Sequence, residues 1–186
     1  MIANRPLRTV DDFRGLKIRL LPNETYMATF RALGANPVAL DVKDLYLAIR
    51  QGDIDALDNP YATILTYNFH DKYKHLVDTA HVIELDAFVA NRKTFLSLPP
   101  AQQKAIRQAA AIACAAEWKM VAEENAGALE KLRAQGVQFE PLPPASRDAL
   151  RQVTAGVVKD ARKRFGDKLV DSVLAAARRG SGPRLR

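Results

Sequence analysis

The stretch from Pro100 to Gln135 constrains the fold of this chain more than any other feature. It holds no further proline and a single glycine, Gly127, and it is rich in alanine, glutamate, glutamine and lysine. Proline is tolerated in the first turn of a helix, so Pro99-Pro100 can open one, and Gly136 is placed to close it in the left-handed conformation. At 1.5 Å per residue such a helix is roughly 50 Å long, more than one small domain can cover. It therefore either spans two lobes or carries a kink near Gly127. It is not a membrane span, because its most apolar run, Ala109–Ala116, is mostly alanine and far short of the ~18 apolar residues a bilayer requires.

Before that helix the pattern changes. Gly15–Leu21 reads as a buried strand ending at Pro22. Asn23 is placed to cap a helix with Tyr26, Phe30 and Leu33 on one face, stopped by Gly34. Pro37–Leu40 is a second short strand, and Asp41 is placed to cap a helix carrying Leu45 and Ile49 and closed by Gly52. Ile54–Leu57 is a third strand, broken at Asn59-Pro60. This β-α-β-α-β order with short turns predicts a layered α/β domain with parallel strand pairs. Two weaker helical segments are expected near Tyr61–Asn68 and Asp71–Val77. Alternation of Ile83, Leu85, Ala87 and Val89 against Glu84 and Asp86 predicts a strand. After the long helix, Val137–Phe139 is a further strand, followed by helices over Ser146–Phe165 and Asp167–Arg178.

Charge and reactive residues exclude more than they assign. The chain of 186 residues has a formal net charge of +7, much of it between Lys159 and Arg186. No aromatic residues interleave with that charge as a base-stacking surface requires, so it reads as a solvated face plus a disordered basic tail over 179–186. The single cysteine, Cys114, rules out an internal disulfide and reads as a small buried hydrophobe. His70, His75 and His81 lack the spacing of a helical metal site and read as surface or boundary residues. No glycine-rich phosphate loop or nucleophile-elbow serine is present, and no cofactor is expected. Asp53, Asp55 and Asp58 read as turn formers and solvated acids. Met1–Pro6 lack the charged start, apolar core and cleavage site of a secretory signal.

Two residues carry chemistry. Arg19 sits at the C-terminal end of an otherwise apolar strand, where open α/β sheets bind ligands, and offers a planar, permanently charged fork to a carboxylate. Asn59, beyond the end of the third strand, can both donate and accept. Equally, Arg19 can pair with a structural acid and Asn59 can simply end a strand.

The same residues lie in a wider pattern. Asn4-Arg5-Pro6-Leu7, Asp12-Phe13-Arg14-Gly15-Leu16-Lys17-Ile18-Arg19, Phe30–Pro37, Leu45–Gly52, Asp53–Pro60, His81-Val82 and Phe95–Pro99 together resemble the DctP-like solute-binding proteins of TRAP transporters, the tripartite ATP-independent periplasmic systems. The resemblance implies a periplasmic-binding-protein-like (type II-like) α/β receptor. It implies a non-enzymatic protein that holds a carboxylate-bearing organic acid, such as a C4-dicarboxylate, and delivers it to the small and large membrane subunits. It further implies that Arg19 forms a salt bridge with the ligand carboxylate, that Asn59 hydrogen-bonds it, and that His81 belongs to the polar network beside it. Ala56-Leu57-Asp58 replaces the usual Gly-x-Glu before Asn-Pro, and Val42 stands where an aromatic residue often lines the pocket.

On the resemblance the chain begins where the family's second lobe begins, with the N-terminal lobe and signal peptide missing. The expected division is 1–84 and 125–178 in lobe two, with 85–124 a piece of lobe one and the first half of the spanning helix. Faces that lobe one would cover are then left apolar, which favours self-association. The alternatives are a basic nucleic-acid-binding α/β protein and a small hydrolase-like enzyme using His81 with Asp58 or Asp86.

Overall fold

The computed structural model describes residues 1–82 and 86–179, with the side chains of Val42, Arg178 and Arg179 left aside. Six strands form one sheet: β1 (Ile2–Ala3), β2 (Lys17–Leu20), β3 (Asn36–Ala39), β4 (Ala56–Leu57), β5 (His75–Asp78) and β6 (Gln138–Pro141), in the order β3-β2-β4-β1-β5-β6. β2 runs parallel to β3 and β4, and β5 parallel to β6. β1 lies between β4 and β5 antiparallel to both, joining the two parallel halves.

Eight α-helices form among the described residues: α1 (Glu24–Ala32), α2 (Val42–Gln51), α3 (Tyr61–Thr66), α4 (Arg92–Ser97), α5 (Pro100–Ala134), α6 (Pro144–Val153), α7 (Ala155–Phe165) and α8 (Asp167–Arg179). Alternation along the strands splits the core into two layers. Ala3, Ile18, Leu20, Ala56 and Val77 pack with Phe13, Phe30 and Leu33 on the α1 side. Ile2, Leu57 and Leu76 pack with Leu45, Ile49, Ile64 and Leu132 on the side of α2, α3 and α5.

Local chemistry explains most boundaries. The Asn23 side chain accepts from the backbone N–H groups of Thr25 and Tyr26, which caps α1 as its sequence predicts. Gly52, at φ +77°, closes α2. The long helix forms without interruption for 35 residues. Burial is confined to its last turns among the described residues: Ala128 and Leu132 are buried, whereas Ile112, Trp118 and Met120 are exposed.

Five expectations need correction. Asp71–Val77 is not a helix. A 3-10 turn at Phe69–Asp71 leads into β5, whose Leu76 and Val77 are buried on opposite faces of the sheet. A strand buried on both faces loses the polar alternation by which it could be read. Residues 86–90 carry no regular structure, and 83–85 of the expected Ile83–Val89 strand lie outside the described residues. The single helix expected over Ser146–Phe165 is two, broken at Thr154, whose hydroxyl donates to the Leu150 carbonyl at 2.9 Å. Cys114 is exposed on α5 rather than buried. His70 is buried rather than superficial, its Nε2 paired with the Gln135 side-chain oxygen. β1 was not anticipated at all. Residues 180–186 of the expected basic tail lie outside the described residues.

Candidate functional site

The parallel strands β2, β3 and β4 end together, at Leu20, Ala39 and Leu57, and the chain beyond each end supplies the site. Arg19 pairs in register with Val38 on β3 and Leu57 on β4. Its neighbours Ile18 and Leu20 face the α1 layer, so Arg19 occupies a position on the opposite face, where Leu57, Ile2 and Leu76 are apolar. It is 0% exposed and is the largest side chain buried so completely. Its Nε donates to the Leu40 carbonyl at 2.9 Å, while Nη1 and Nη2 have no hydrogen-bond partner. Burial depresses the guanidinium pKa, and the charges of Asp41 and Asp58 oppose that shift.

Asp58 and Asn59 follow Leu57 directly. Burial by itself would raise the Asp58 carboxyl above its ordinary 3.8. The hydrogen bond and charge of His81, the Met1 amino group and the Arg19 guanidinium outweigh it and hold Asp58 lower. His81 Nε2 lies 3.2 Å from Asp58 Oδ2, and its Nδ1 lies 2.6 Å from the Thr79 hydroxyl. The ring meets Phe30 edge-on, with centroids 5.3 Å apart. Ala80, at φ +45°, turns the chain out of β5 so that His81 folds back onto Asp58. A left-handed alanine costs ~1 kcal/mol, which the pair and the Phe30 contact offset.

This coupling has a defined pH signature. A carboxyl whose folded pKa lies below its unfolded value contributes stability that is complete above the unfolded pKa and is lost as pH falls through the folded one. Unfolding free energy is therefore expected to fall from about pH 4 downward, with Asp58→Asn flattening that limb. Chemical denaturation of both proteins between pH 2 and 7 measures it; identical slopes would remove Asp58 from the linkage.

Asp58, Asn59 and His81 open onto a cleft of about 610 Å³. Its far wall is one stripe of α5, Glu117, Trp118, Val121, Glu124 and Asn125, held to α3 where Asn125 Oδ1 accepts from the Ala62 N–H at 3.2 Å. Asn59 Oδ1 is buried without a partner. Arg19 does not line the cleft; it is fully buried, close enough to Asp58 to feel its charge. Of the three residues singled out in the sequence, the structure puts Asn59 and His81 on the cleft and Arg19 outside its lining.

Asp58 departs from its reading as a solvated turn former, since its side chain is only 14% exposed and bonded to His81. Asp55, by contrast, is structural, accepting from the Lys17 N–H and the Asn4 side chain. The α5 stripe was missed, although its i, i+1, i+4, i+7, i+8 spacing is legible in the sequence. No cluster of metal-ligating side chains occurs among the described residues. The side chain of Val42 lies outside them.

Comparison with known proteins agrees with this architecture. The C4-dicarboxylate-binding periplasmic protein DctP of Rhodobacter capsulatus is 29% identical over 177 residues, covering 95% of this chain and 53% of that protein. The sialic acid-binding periplasmic protein SiaP of Vibrio cholerae is 26% identical over 176 residues, covering 93% and 53%. A crystal structure of a TRAP periplasmic solute-binding protein from Desulfovibrio salexigens with bound orotic acid superposes with a TM-score of 0.82 at 27% identity, covering 94% of this chain and 56% of that one. The chain thus spans about half the length of these relatives. The family they represent consists of periplasmic solute receptors rather than enzymes, and none of the described helices is long and apolar enough to cross a membrane. Residues 1–164 match the DctP family, and the chain belongs to these bacterial extracellular solute-binding proteins of family 7.

Proposed function

We propose that this chain supplies one lobe and the spanning helix of a TRAP receptor that captures a carboxylate-bearing organic acid and hands it to the small and large membrane subunits. The observation that carries this reading is Arg19, a guanidinium with no exposed surface whose Nη1 and Nη2 are both unpartnered. Buried polar groups are almost always paired, and each one left unpaired costs ~1–3 kcal/mol. A ligand carboxylate is the partner that matches a planar two-pronged donor. It would enter from the cleft beside Asn59, whose amide can donate to the same carboxylate. The acids named for the relatives, a C4-dicarboxylate, sialic acid and orotic acid, all present that group.

In this reading 1–84 and 125–178 form lobe two, and 85–124 reaches toward the other half of the receptor. Exposed Phe88, Val89, Ile112 and Met120, none of which lines the cleft, fit a surface meant to be covered.

Butanoate and butanamide separate a carboxylate site from a generic apolar cleft. Butanoate is expected to shift the backbone NMR signals of Leu40, Asn59 and His81 saturably, and butanamide to leave them in place. Equal shifts from both would contradict a carboxylate receptor.

A further inference from the structure

The cleft has a charge pattern opposite to that of the chain. Against an overall formal charge of +7, its described lining holds Asp58, Asp78, Asp86, Glu117 and Glu124 and no lysine or arginine; the lining groups that can carry positive charge are the Met1 amino group, which acts on Asp58 and Asp78, and His81, which is bonded to Asp58. Glu117 and Glu124 are exposed on the α5 stripe and flank Trp118, which is 69% exposed. Tyr26 and Tyr61 line the same space. Carboxylates around exposed aromatic faces attract a cation twice over, by charge and by the ring quadrupole. The one orphaned atom of Asn59, Oδ1, is an acceptor and asks for a donor that a carboxylate cannot supply.

We infer that the ligand is a zwitterion: a carboxylate held at Arg19 and Asn59, with an ammonium or similar cation lying against Trp118 between Glu117 and Glu124. The inference rests on the carboxylate reading above and narrows its substrate class. A second carboxylate at that end of the ligand would face the acidic wall and be repelled.

Three probes that share one terminal carboxylate and differ at the other end test this with the full chain at low salt: 4-aminobutanoate, butanoate and glutarate. NMR titrations are expected to rank them in that order of affinity, with roughly tenfold or more between the first and the last. In the double variant Glu117→Gln, Glu124→Gln, both positions being exposed on a formed helix, the gap is expected to shrink to about threefold or less. Glutarate binding as tightly as 4-aminobutanoate, or a gap unchanged in the double variant, overturns the zwitterion while leaving the carboxylate site intact. Butanoate failing to bind at all overturns the carboxylate site, and this inference falls with it.

Discussion

Arg19→Met is expected to abolish carboxylate binding while leaving the protein as stable as before, or more so. The two effects have separate origins. Removing one member of a desolvated, hydrogen-bonded charge pair costs ~2–5 kcal/mol, a thirty-fold to several-thousand-fold loss of affinity. Stability moves the other way. The folded protein buries a guanidinium with two unpartnered nitrogens, and replacing such a group with an apolar side chain of similar length is often neutral or stabilising. Arg19→Lys is expected to bind poorly as well, since an ammonium cannot reproduce the planar fork. The opposite role, a structural ion pair with Asp41 or Asp58, requires Arg19→Met to lower the melting temperature and spare binding. A thermal melt beside a butanoate titration separates the two.

Leu132→Ala is expected to cost ~2–5 kcal/mol, the usual range for a leucine excised from a packed core. At this chain length that corresponds to a fall of very roughly 5–20 °C in melting temperature. Leu132 is 0% exposed among Ile64, Leu76 and Val137, and it pins the end of α5 to the sheet. Ile112, on the same helix, is 71% exposed, and Ile112→Ala is expected to change the stability of the dilute monomer by less than ~0.5 kcal/mol. Denaturation at two protein concentrations completes the comparison. If copies of the chain associate through the bare half of α5, Ile112→Ala will destabilise the concentrated sample and spare the dilute one. A large effect of Ile112→Ala on the dilute monomer would mean that this half of the helix is docked.

The contrast along α5 shows what the sequence makes legible. Helix formation depends on alanine, the absence of proline and the closing Gly136, all of them local, and the helix forms over the expected span. The strands around Arg19 were equally legible, because Asn23, Gly34 and Gly52 punctuate them. β1 and β5 were not. β1 has only two residues, and His75-Leu76-Val77-Asp78 takes strand form because two neighbouring strands hydrogen-bond to it, which no local periodicity records.

The site divides in the same way. A charge in an apolar strand is visible in a single segment, so Arg19 stood out. The Asp58–His81 pair joins residues 23 apart through a left-handed turn at an alanine, a conformation that residue type does not advertise. The covering of Arg19 is likewise a tertiary fact. Its strand position implies a ligand-facing guanidinium, whereas the folded chain leaves it fully buried, donating to the Leu40 carbonyl and outside the cleft lining.

The central claim, that a ligand carboxylate satisfies the two free nitrogens of Arg19, is tested most directly by ¹⁵N NMR of the guanidinium itself. With arginine side chains labelled and butanoate titrated in, the Arg19 Nη signals are expected to move downfield in proton shift and slow in exchange, at the same midpoint as the Asn59 side-chain amide. An Asn59 response without any change at the Arg19 Nη groups would place the carboxylate elsewhere and contradict the account.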